Sequence, residues 1–238
     1  MVTGPPLLTA ETLARIEAVS PYFAVASGPR PDATAYRPLA DLHQVPEVLD
    51  AYVDEVGQRL GTGQRRVAAS TLHLGVAARL WSVALGVLAF TGRVPDLAPE
   101  RLHWRRVESG PLPPWLPAPT AVPGPPGEDP AATLAATVLR SALDPLGAAM
   151  RTRYGLSAHT VRGNAASALV GAVRMLRTRA ADAPYPTLPA ATALLTAGPL
   201  ATAGEFTPDP ITYRRRNCCL YYRVPGAGMC GDCVLIQV

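Results

Sequence analysis

The stretch from Leu72 to Phe90 is almost continuously apolar, and it limits the folds open to this chain. Such a run either crosses a membrane or lies at the centre of a globule. It carries His73 and Arg79, and an arginine near the middle of a membrane span costs about 2.5–3.5 kcal/mol on insertion. The better reading is a buried helix that starts near Gln64, with Gly92 and Pro95 as its stop.

Helical spacing recurs on both sides of it. Thr9 can cap a short helix to Ser20. Pro46 can open another, running to Leu60, with Val48, Leu49, Tyr52, Val53, Val56 and Leu60 on its apolar face. Asp129-Pro130 is a capped helix start, and Asp144-Pro145 repeats it, so a break or kink is expected there. The clearest amphipathic helix spans Ala158 to Thr178, and a short one fits Ala190 to Ala197. Strand signals are few: Leu102–Val107, Leu112–Leu116 after a turn at 108–110, Ile211–Arg214 and Val234–Val238. The expected class is mainly α, an α-rich α+β fold with a small β element. A Pro/Gly linker at 117–128 divides an N-terminal helical lobe, 1–116, from a C-terminal one, 129–210. A cysteine-rich tail, 211–238, follows, and the whole is compatible with one domain.

Composition narrows the function. Hydrophobic residues make up 48% and charged residues 17%, which excludes general disorder. All 22 basic residues are arginine, and the net charge is only +4. No basic run is interleaved with stacking aromatics, so no nucleic-acid partner is expected. No signal peptide opens the chain and no transmembrane segment is expected, which leaves peripheral membrane association open. The expected location is the cytoplasm, where thiols stay reduced.

All four cysteines, Cys218, Cys219, Cys230 and Cys233, fall in the tail. Four thiolates suit zinc or an iron–sulfur cluster, and in an oxidising compartment they could form two disulfides. The spacing is C-C-x10-C-x2-C. Adjacent side chains in extended backbone point to opposite faces, so a vicinal pair reaches one small ion poorly and two atoms of a wider object more easily. A [2Fe–2S] cluster is such an object. Zinc sites usually use two C-x2-4-C arms, and only one is present.

Arg214, Arg215, Arg216 and Arg223 bracket the vicinal pair and can stabilise a negative cluster or steer a partner; the bland alternative is a solvated strand edge. Tyr222, with Tyr213 and Tyr221, can shield the cluster or contact a ligand. Asp232 is expected to act through its backbone rather than its charge. The histidines, His43, His73, His103 and His159, show no metal spacing, and His73 reads as a core histidine. No motif for a phosphate or nicotinamide cofactor is present.

At these residues the chain resembles the FhuF-like ferric siderophore reductases, whose C-C-x10-C-x2-C signature holds a [2Fe–2S] cluster. Arg215, Arg216, Tyr222-Arg223, Pro225 and Cys230-Gly231-Asp232-Cys233 fit that pattern. Gly163-Asn164 is a second, weaker match, with Arg162 where the family often has tryptophan. The resemblance implies one-electron reduction of a ferric siderophore, of hydroxamate type, with release of Fe²⁺. The electrons would come from a carrier such as a ferredoxin or flavodoxin, and no catalytic residue beyond the cluster is implied. The alternative is a non-catalytic four-cysteine module, either a zinc-stapled binding protein or an iron–sulfur sensor.

Overall fold

Each helix begins where a cap or a proline permits one. The computed structural model describes residues 7–108, 110, 112–124 and 128–236. Thr9 Oγ1 accepts the Thr12 amide and opens α1 (Ala10–Glu17). Short strands β1 (Ala26–Ser27) and β2 (Arg37–Pro38) precede α2 (Asp41–Gln44) and α3 (Pro46–Arg59), whose proline sits in the first turn. The long helix α4 (Arg65–Thr91) ends at Gly92, in the left-handed region with φ 69°. Strands β3 (His103–Trp104) and β4 (Pro114–Leu116) follow. The four strands form one sheet in the order β1-β4-β3-β2, parallel only between β1 and β4.

In the second half, Asp129 Oδ1 caps α5 (Pro130–Leu134). A π-helical segment, Ala135–Leu143, leads into α6 (Asp144–Tyr154). The disruption expected at Asp144-Pro145 therefore takes the form of a wider helix just before the proline, a form often found beside functional sites. Ser157 caps α7 (Ala158–Arg179), and α8 (Leu188–Thr196) follows. An antiparallel hairpin, β5 (Gly204–Pro208) and β6 (Ile211–Arg215), delivers the chain to the cysteine tail. The expected strand over 234–238 is not formed where it is described: 234–235 is a turn, and 237–238 lie outside the described residues.

Helix α4 is the axis of the fold. α7 packs along it, and α3 and α1 flank it. Trp81, Ala84, Leu85 and Val87 are completely buried, and each large side chain so buried contributes about 1.5–3 kcal/mol. Packing against α1 is close at Gly86, where a Cβ would stand 2.6 Å from Ile16 Cγ2 and 2.9 Å from Phe23 Cδ1. Arg79 is tolerated because its polar atoms are occupied. Nε donates to the Leu112 carbonyl at 2.7 Å and Nη1 donates to that of Pro21. Burial lowers its pKa to about 10, so it stays charged at neutral pH and pins two loops to the helix. By length and composition α4 could cross a membrane, and 72% of its most apolar window is buried by protein.

The hydrophobic core runs without interruption from Leu8 to Tyr213, so residues on both sides of 117–128 share it. Leu7 bridges Thr120, Pro95 bridges Ala121, and Ala121 is wholly buried. Residues 125–127 of that stretch, and 109 of the expected turn, lie outside the described residues.

Candidate metal centre

Strand alternation turns β6 into the foundation of the centre. Tyr213 and Arg215 point inward while Thr212 and Arg214 point to solvent. The three consecutive arginines therefore separate. Arg215 is only 2% exposed. Arg214 reaches along the surface to the Val234 and Ile236 carbonyls, at 3.4 and 3.1 Å. Arg216 is exposed, with its amide on the Ala203 carbonyl at 3.0 Å.

After β6 the chain bends through Asn217 and the vicinal pair, which leaves Cys218 half-buried and Cys219 buried. Leu220 adopts φ 70°, unusual for a residue with a Cβ. That turn aims its amide back at Cys218 Sγ, 3.2 Å away. Leu235 repeats the contact, donating to Cys233 Sγ at 3.4 Å. Amides that donate to the sulfurs stabilise negative charge there and raise a cluster's reduction potential.

All four thiols are free. Cys219 Sγ and Cys230 Sγ stand 3.5 Å apart. Two thiolates on one tetrahedral metal, with bonds of about 2.3 Å, are separated by about 3.8 Å, so this pair is already close to chelating distance. Hydrogen bonding with Cys230 lowers Cys219 to about 6 against the effect of burial, with help from nearby Arg215. The same bond, together with burial, pushes Cys230 up. Among the described residues, no three His, Cys, Asp or Glu side chains gather as ligands of a single ion.

A network of buried polar groups binds this tail to the helical body. Ser70 Oγ, on α4, donates to the Cys219 carbonyl at 2.7 Å. Asn164, on α7, donates from Nδ2 to the Ser70 carbonyl at 2.9 Å and accepts Arg215 Nη2 at Oδ1, at 2.5 Å. Asp232 is 8% exposed. Its carbonyl accepts the Arg215 amide at 3.0 Å, and its carboxylate accepts Ser167 Oγ at 2.5 Å and Arg174 Nη1 at 2.8 Å. The expectation that Asp232 acts through its backbone rather than its charge is thus corrected: the carboxylate fastens the C-x-x-C turn to α7. Gly163 lets that turn of α7 approach, since a Cβ there would fall 2.2 Å from Asn217 Oδ1.

Two nitrogens in this network, Arg215 Nε and Nη1, are buried without a partner. The Arg215 charge acts on both Cys219 and Cys230. A buried guanidinium with two unspent donors next to thiolates matches an anionic cluster held by those thiolates. Tyr222 is exposed, and Arg223 donates to its hydroxyl at 3.0 Å and lies over its ring. Arg223 is also close enough for the Cys218 charge to raise its pKa, behind the larger effect of Tyr222. Tyr213 is buried beneath the tail, and burial pushes its pKa up to about 12.

Thr160, Asn164, Ser167 and Arg174 share one face of amphipathic α7, at the i, i+4, i+7 and i+14 positions, and that spacing is the signal that could have found them. Ser70 carried no such signal.

These features suit a thiolate-held metal centre in the C-terminal tail. Residues 215–235 match the family described as FhuF 2Fe-2S C-terminal domain, and all four cysteines fall inside the match and fit its motif. The cofactor so indicated is a [2Fe–2S] cluster. No curated protein matches the chain.

Proposed function

We propose that the protein is a ferric siderophore reductase that passes one electron from its [2Fe–2S] centre to Fe³⁺ held by hard oxygen donors, of hydroxamate type. A bound [2Fe–2S] cluster supplies one electron at a time. Fe²⁺ binds such donors more weakly than Fe³⁺, so reduction frees the metal. The observation that carries this reading is the unequal exposure of the ligands. Cys219 and Cys233 are buried, while half-buried Cys218 opens on a cavity of about 490 Å³ walled by α7 and the 202–203 segment. A chelate seated there would sit beside a ligand of the centre, and no other side chain would have to take part in the chemistry.

The residues divide the work. Cys218, Cys219, Cys230 and Cys233 hold the centre. Arg215 and the Leu220 and Leu235 amides stabilise its negative charge. Asn164, Ser70, Ser167 and Arg174 keep the tail seated. An electron-carrier protein of ferredoxin or flavodoxin type, in the cytoplasm, restores the electron. The test pairs iron and sulfide analysis with trapping of Fe²⁺ from a ferric hydroxamate by the reduced protein. A colourless protein holding zinc, or a cluster protein that reduces no ferric chelate, would overturn the reading in favour of the binding-module or sensor alternative.

A further inference from the structure

Arg162 stands between two cavities. The one at Cys218 is also walled by Arg216 and His159. The other, about 440 Å³, is walled by Arg140, Arg151 and Arg162, with Asp144 and His73. Elsewhere some arginines pair with a carboxylate, as Arg30, Arg59, Arg65, Arg101, Arg153 and Arg174 do, and among the described residues others, such as Arg15, Arg66 and Arg105, do not. Among the described residues, Arg140, Arg151, Arg162 and Arg216 have no such pair. His73 adds an independent sign. It is fully buried against the second cavity, and neither ring nitrogen has a hydrogen-bond partner. The first turn of α7 also lines the Cys218 cavity, with the positive end of its dipole there.

We propose that this cleft receives a ferric chelate of net negative charge, namely a ferric hydroxamate that also carries free carboxylates. The inference rests on the reductase reading and names its substrate class. The iron-bearing part sits against Cys218. The carboxylates lie toward Arg162 and the second cavity, where Arg140 and Arg151 also face them. One electron leaves the reduced centre and one Fe³⁺ becomes Fe²⁺, while the carboxylates form no bond to the protein. An acidic electron-carrier protein is the other anion that could use these arginines. The concave shape favours the chelate: small-ligand sites are cavities of about 300–1,000 Å³, whereas protein partners cover about 800 Å² of surface each.

Gallium(III) chelates cannot accept the electron and so report binding alone. Calorimetry on the cluster-loaded protein would use three of them: a citrate-based dihydroxamate, which is anionic; a neutral cyclic trihydroxamate; and a linear trihydroxamate carrying an ammonium group. The anionic chelate is expected to bind at least about tenfold more tightly than the other two, a difference of about 1.4 kcal/mol. Arg162→Gln and Arg216→Gln, both at exposed positions, should each weaken it roughly threefold to tenfold and leave the neutral chelate unaffected. The visible spectrum confirms that each variant keeps its cluster. Equal affinity for the three charge classes, or variants that bind as wild type, overturns the inference. So does a result in which the variants slow only reduction by an acidic carrier protein, because the cleft is then that partner's. If ferric chelates of every charge are reduced alike, the reductase reading stands and this inference falls. If none is reduced or bound, both fall.

Discussion

Arg215 donates from Nη2 to Asn164 Oδ1 across 2.5 Å, and both side chains are shut away from solvent. The contact joins the last residue of β6 to the second turn of α7 and fixes a cation beneath the thiols. A buried charge acts at low effective dielectric, whereas exposed Arg214 and Arg216 are screened. Arg215→Gln should therefore lower the reduction potential by at least about 60 mV, a tenfold change in a one-electron equilibrium. Arg214→Gln and Arg216→Gln should each shift it by much less. Potentiometric titration followed by visible absorption checks this, and equal shifts for all three would contradict the assignment.

Gly163 and Gly171 lie on the same helix and make a matched pair. A Cβ at Gly163 would collide with the Asn217 side chain, next to Cys218, while one at Gly171 meets nothing within 4 Å. Gly171→Ala should stabilise the protein by about 0.5–1 kcal/mol through helix propensity. Gly163→Ala should lose about 1–2 kcal/mol to overpacking and shed its cluster faster under a chelator. Thermal melts and bleaching rates measure both, and the opposite order would refute the contact.

Asp232 holds the C-x-x-C turn through Arg174 and Ser167. Since Arg174 is 39% exposed on its side chain, the pair is worth about 1–2 kcal/mol rather than the value of a fully buried one. Asp232→Ala should release the turn, so that iron is lost several-fold faster to a chelator. The far-UV circular dichroism of the helical body should not change. A variant that keeps iron as long as wild type would show that the carboxylate is dispensable.

Burial, the largest cause, lowers the pKa of His73 to about 4, with the nearby Leu143 carbonyl acting to raise it and the Arg215 charge to lower it further. The unfolded chain protonates this histidine near 6.5, so between the two values the unfolded state binds more protons and stability rises with pH. The contribution is complete above pH 6.5 and is lost as pH falls toward 4, about 2 kcal/mol of it between pH 7 and pH 5. Urea unfolding across that range should show this slope in wild type and lack it in His73→Leu. Parallel profiles would contradict a buried, neutral imidazole.

How much of this was written in the sequence depends on the range of the forces involved. The helices from Pro46, Asp129-Pro130 and Ala158 were legible because prolines, caps and 3.6-residue spacing act locally. The thiols were legible because their spacing is itself a chemical pattern. The strands β1 and β2 were not, since two residues carry no alternation to read and pair with partners far along the chain. The roles of Arg214, Arg215 and Arg216 depend on which of them faces inward. The alternation of β6 carries that information only once its end at Arg215 is known. Ser70 could not be picked out, because its partner is the Cys219 carbonyl 149 residues away.

The most direct test is stopped-flow mixing of dithionite-reduced, desalted protein with a ferric hydroxamate under argon, in the presence of a ferrous chelator. Cluster reoxidation should depend on chelate concentration and yield about one trapped Fe²⁺ per cluster oxidised, as a one-electron centre requires. A centre that stays reduced with every ferric chelate, yet is promptly reoxidised by other oxidants, would contradict the reductase function.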